Sequence, residues 1–120
     1  MVKRSIAIVL SSATSSAAAA TALQLADRLL TRGHRVTIFS HGSAVNLVLA
    51  GGPVAAAVAA LLRRGVHGGT LDWVADAAAL GERALVDGVI AGDGADLWSF
   101  VRDADVVLAP GGDHPWRAMS

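Results

Sequence analysis

Short apolar runs alternating with helical periodicity constrain this chain more than any other feature. Ser5–Leu10 is a continuous greasy stretch, as expected of a strand covered on both faces. From Ala17 to Arg32, apolar residues recur at Ala19, Leu23, Ala26, Leu29 and Leu30, with Asp27, Arg28 and Arg32 on the wet face and Gly33 as the stop. Val36–Phe39 is a second short strand. Strand, helix and strand so close together form a βαβ unit, whose right-handed crossover makes the strands parallel.

The same alternation runs through the rest of the chain. A short helix is expected over Ser43–Ala50, broken by Gly51-Gly52-Pro53, then a second from Pro53 to Arg64 stopped by Gly65. Thr70–Ala75 reads as the third strand and Ala77–Arg83 as a short helix. Val86–Gly94 reads as a loop with a strand-like centre at Val89-Ile90. Ala95–Arg102 is a helix with Leu97, Phe100 and Val101 inward, and Asp105–Ala109 the last strand. The expected fold is a single α/β domain over residues 1–109, a three-layer sandwich with a mainly parallel sheet of about five strands. Residues 110–120, without periodicity, read as a docking tail. In such sheets the chemistry sits where strand C-termini meet the following loops, here Ser11–Ser16, Ser40–Ser43, Asp76 and its neighbours, and Pro110–Gly112.

Composition removes several function classes. Ten basic and ten acidic side chains cancel, and no basic run exceeds two residues, so the clustered positive footprint of a nucleic-acid binder is missing. With no cysteine there is no disulfide, thiolate metal site or thiol nucleophile. The N-terminal Lys3-Arg4 and Ile6–Leu10 imitate a signal peptide, but the apolar run is shorter than the roughly 7–15 residues such a region needs. The greasiest stretch, Val54–Leu62, falls short of the ~20 residues of a membrane span. A cytoplasmic location is expected, with neither nucleic acid nor membrane as partner.

Familiar ligand motifs are missing too. There is no phosphate loop of the Gly-x4-Gly-Lys-Ser/Thr type and no Gly-x-Gly-x-x-Gly after the first strand. Ser11–Ser16 offers hydroxyls and amides at a helix start, suited to capping or to holding an anion. Gly92-Asp93-Gly94 is turn chemistry or a ligand loop. His34, His41, His67, Asp76, Asp113 and His114 are scattered without His-Glu-x-x-His, and no metal or cofactor is implied. His34 opens a strand, His67 and His114 sit in glycine-rich loops, and His41 follows the second strand at the site edge. No Gly-x-Ser-x-Gly elbow supports a serine triad.

Asp76 is the sharpest candidate. As an N-cap it satisfies free amides of the following helix. As a functional acid or base it would act in a shielded cleft, where burial alters proton affinity. Asp72 reads as an edge-facing strand residue and Arg83 as a solvated neighbour of Asp72 or Glu82. Trp73 and Trp98 fill the core or anchor an interface, and Trp116 in the tail favours an interface.

These residues together resemble the DsrE/TusD-type sulfur-relay family, from Ile6 to about Leu108. The resemblance rests on Ile6–Ser12, on Ala22–Ala26, on Gly33-His34-Arg35-Val36-Thr37-Ile38-Phe39 with His41-Gly42-Ser43-Ala44-Val45, and on Ala104–Val107. It implies a small α/β protein assembling as a trimer or hexamer, in which active members carry sulfur as a cysteine persulfide. The family pattern Cys-x-Ala-Ala-x-x-x-Arg-Gly lies on this chain with Asp76 for the cysteine, Ala78-Ala79 and Arg83 kept, and Ala84 for the glycine. A carboxylate cannot carry a persulfide, so persulfide sulfurtransfer has no group to run on here.

The resemblance leaves three readings. One is a non-catalytic subunit or partner in a sulfur-transfer oligomer, joined to cysteine-bearing homologues, as heteromeric members include subunits without the relay cysteine. Another is a repurposed homo-oligomer that binds a small molecule or performs acid/base chemistry with Asp76, helped by Ser11, Ser12, His41, Asn46 and Arg83. The last is a purely structural or regulatory oligomer.

Overall fold

The computed structural model describes residues 4–11, 16–52, 54–67 and 70–109. Five strands form one sheet in the order β4-β3-β2-β1-β5, every neighbouring pair parallel. They are β1 Ser5–Leu10, β2 Arg35–Ser40, β3 Thr70–Asp76, β4 Ile90–Gly92 and β5 Val106–Leu108. The helices are α1 Ser16–Thr31, α2 Ala55–His67, α3 Ala77–Leu80 and α4 Gly94–Asp103, with a 3-10 helix over Gly42–Val48. This is the α/β sandwich that the alternating pattern predicts.

Strand alternation divides the sheet into two faces. Ile6, Ile8, Leu10, Val36, Ile38, Trp73 and Ala75 point to one face and form the core with Ala22, Ala26 and Leu30 of α1 and Val58 and Leu61 of α2. Alanine at the contact positions of α1 lets the helix approach the sheet closely. The other face carries Ser5, Ala7, Thr37 and Asp72, which share a cleft of about 180 Å³ with Ser99 and Phe100 of α4. Within the core the Trp73 indole N–H donates to the fully buried Ser40 hydroxyl at 2.9 Å, which removes the cost of burying either group unpaired.

Several elements differ from expectation. The helix expected over Ser43–Ala50 is a 3-10 helix ending at Val48, because Leu49 is extended and forms an antiparallel bridge with Leu85. Gly65 does not stop α2, which continues to His67, so His67 closes a helix instead of sitting in a loop. The helix after Asp76 stops at Leu80, where Gly81 adopts φ 63°, a conformation that glycine takes without steric cost. The loop at Val86–Gly94 contains a true strand, β4, paired with Val74, Ala75 and Asp76 of β3. Trp98 is 72% exposed, not core, and no residue of α4 is fully buried: Leu97, Phe100 and Val101 are half-buried.

Gly92-Asp93-Gly94 resolves as turn chemistry. Asp93 caps α4 in a reciprocal capping box with Asp96. A Cβ on Gly92 would stand 2.5 Å from Val74 Cγ1, so only glycine lets β4 lie against β3 here. Pro53 and the tail from Pro110, with Asp113, His114 and Trp116, lie outside the described residues.

Candidate functional site

The C-terminal edge of β2 and β3 assembles the candidate residues. The parallel register pairs Ser40 with Ala75, so the next residues, His41 and Asp76, leave their strands side by side. Asp76 closes β3 and serves as N-cap of α3, its Oδ1 accepting from the Ala78 amide at 3.1 Å. Its Oδ2 lies 3.2 Å from His41 Nδ1. Both carboxylate oxygens are therefore engaged, one by backbone and one by imidazole.

The two partners are unequally exposed. The Asp76 side chain is 14% exposed and that of His41 56%, so the carboxylate is the inner member and the ring meets solvent. The contact is a close approach of the ring's Nδ1 to the carboxylate, an ion pair whenever the ring is protonated. The His41 backbone is fixed as well, its N–H donating to the Leu10 carbonyl at 2.8 Å. The ring also stands 6.4 Å, centroid to centroid, from Phe39.

Arg83 and Asn46 form a second pair beside the first. Arg83 Nη1 donates to Asn46 Oδ1 at 2.6 Å, Nη2 to the Ala79 carbonyl at 2.6 Å, and Nε to the Leu80 carbonyl at 3.0 Å. The guanidinium thus satisfies carbonyls at the end of α3 that have no partner within the helix and ties that end to the 3-10 helix. Arg83 is exposed, as the sequence suggests, but its guanidinium bonds Asn46 and the end of α3, not Asp72 or Glu82. Asp76, which stands in the place of the pattern's cysteine, holds the start of α3, and Arg83, which the pattern keeps, holds its end.

The remaining candidates are placed less closely. Ser11 follows β1 at the same sheet edge, half-buried, and Ser12 lies outside the described residues. His34 is spent on structure, its Nδ1 accepting from the Arg4 amide at 3.1 Å. Among the described residues no group of three or more His, Cys, Asp or Glu converges as a metal site, and no helix is long and apolar enough to cross a membrane. The sequence pointed to His41 and Asp76 separately; the contact between them required the strand register.

Comparison with known proteins gives three findings. The family model described as DsrE/DsrF-like matches residues 3–110. The crystal structure of the ychN protein from E. coli superposes with a TM-score of 0.76 at 21% identity, covering 88% of this chain and 98% of that one. No curated protein matches the sequence significantly.

Proposed function

This chain belongs to the DsrE/DsrF-like family, and on that premise we propose that it is a non-relaying member, a subunit or partner in a sulfur-transfer assembly whose thiol sits on another chain. The observation that carries this reading is the state of Asp76. At the position where the family pattern places the relay cysteine stands a carboxylate with both oxygens engaged, in a chain without cysteine. Sulfane sulfur needs a thiolate to receive it, and this site offers none. The α3 segment around the position is nevertheless held at both ends, so the scaffold of the site persists without its nucleophile. Cysteine-bearing homologues are the partners this reading requires.

Reconstitution tests the reading. A cysteine-bearing family member loaded with labelled sulfane sulfur should bind this chain and keep the label on its own cysteine. Delivery to the downstream acceptor should slow when this chain is omitted. Delivery at an unchanged rate without it, or no association at all, would contradict the proposal.

The His41–Asp76 contact favours a second reading, acid/base chemistry by a homo-oligomer. Asp76 lies against Nδ1 of a mostly exposed ring, a placement from which a carboxylate can prepare an imidazole to take a proton. Under this reading His41→Gln and Asp76→Asn would each abolish turnover of a small molecule while leaving assembly intact.

A further inference from the structure

The geometry points to a binding site for a free α-amino acid on the sheet face opposite Trp73. Asp72 takes the ammonium group, Arg35 the carboxylate, and the Thr37 hydroxyl lies between them. Helix α4 crosses that face obliquely. It starts beside Gly92, where β4 ends, and leads to Asp105, whose N–H donates to the Ser5 carbonyl at 2.7 Å where β1 begins. Beneath the first halves of β2 and β3 this path leaves a cleft of about 180 Å³. Ser99 and Phe100 form its helical wall, and Arg35, Thr37 and Asp72 its sheet wall. The volume is below the roughly 300–1,000 Å³ of drug-sized sites, so the ligand is compact.

Thr37 is the observation that carries the site. It is only 7% exposed and lines the cleft, yet among the described residues its hydroxyl has no hydrogen-bond partner. A buried hydroxyl left unpaired costs free energy, which a polar atom of a ligand in the cleft recovers. A hydroxyl both donates and accepts, so it serves either end of a dipolar molecule.

The charges beside Thr37 define that molecule. The parallel register sets Asp72 directly across from Thr37, and Arg35 stands two residues before Thr37 on the same face. Strand spacing and rise put the Cα atoms of Arg35 and Asp72 about 8 Å apart. Asp72 is exposed and, among the described residues, has no ion-pair partner, so the two opposite charges do not close on each other. An α-amino acid carries both complementary charges next to one carbon and bridges such a gap. Arg35 keeps another interaction, but its guanidinium has five N–H donors in a fork that matches a carboxylate. Asp103, also at the rim, lies 3.8 Å from Arg102, which offsets its charge. Phe100 gives the ligand's side chain an apolar wall.

Ligand-detected NMR of the full chain with L-alanine, L-serine, L-valine and L-methionine tests the site. At least one of the four should bind saturably, one per chain. Its decarboxylated amine and its 2-hydroxy acid should each bind about tenfold more weakly, since each lacks one of the two charges. Asp72→Asn and Thr37→Val should each weaken binding about tenfold. Thr37→Val should also melt at or above the parent temperature, because it deletes a buried unpaired group. No saturable binding by any of the four, or binding undiminished in both variants, would overturn the site. A lower melting temperature of Thr37→Val would overturn it too, by showing the hydroxyl already paired. An amine or hydroxy acid that binds as tightly as the amino acid would overturn the ligand class. At roughly 3.3 Å per residue, Asp72 lies about 13 Å from Asp76 along β3, so any of these failures leaves the sulfur-relay reading standing.

Discussion

His41 Nδ1 lies 3.2 Å from Asp76 Oδ2 because the parallel register that pairs Ser40 with Ala75 carries the next residue of each strand to the same point. The contact joins two neighbouring strand ends and leaves the imidazole as the exposed partner. It also accounts for the Asp76 carboxylate without any reaction, since the Ala78 amide holds the other oxygen.

Replacement of Asp76 separates cap from charge. Asp76→Ala should lower the unfolding free energy by about 1 kcal/mol through loss of the N-cap. Asp76→Asn, an equally good cap, should stay close to the parent. Chemical denaturation checks both. Equal losses in the two variants would place the stabilisation in the charge and its His41 contact.

Arg83 fastens the end of α3. Arg83→Ala should cost about 1 kcal/mol and speed amide hydrogen exchange over residues 77–81. Asn46→Ala should act in the same direction but less, since it removes only one of the guanidinium's three contacts. A double-mutant cycle should return a positive coupling between the two residues.

Gly92 is required by the closeness of β4 to Val74. Gly92→Ala should destabilise by about 2 kcal/mol, as overpacking does, whereas Gly94→Ala, with open space around its Cβ position, should cost less. Thermal melts of the pair give the comparison.

The tryptophans should behave oppositely. Trp73→Ala should cost about 3–5 kcal/mol, the range for a large buried aromatic. Ser40→Ala, which leaves the buried indole N–H without its acceptor, should cost about 1–3 kcal/mol. Trp98→Ala, at a mostly exposed position, should change stability by no more than about 0.5 kcal/mol.

What was legible in the sequence was local. The run Ser5–Leu10 is β1 with the expected bounds, and Asp76 could be read as a cap because cap chemistry depends on a few adjacent residues. The misread elements depend on distant partners. The 3-10 helix ends because Leu49 meets Leu85, and β4 is a strand because it lies along Val74–Asp76. Likewise the His41–Asp76 and Asn46–Arg83 contacts join residues more than thirty positions apart. Neither periodicity nor spacing encodes such pairings until the strand order is known. Trp98 was ambiguous for the same reason, since the exposure of an aromatic on an amphipathic helix depends on what the helix covers.

The central claim, that this chain completes a sulfur-transfer assembly without carrying sulfur, is tested most directly by native mass spectrometry of the tagged protein purified from its own host. The account predicts a mixed oligomer containing a cysteine-bearing DsrE/DsrF-like chain in fixed stoichiometry. A homo-oligomer or a lone monomer, with no such chain associated, would contradict it.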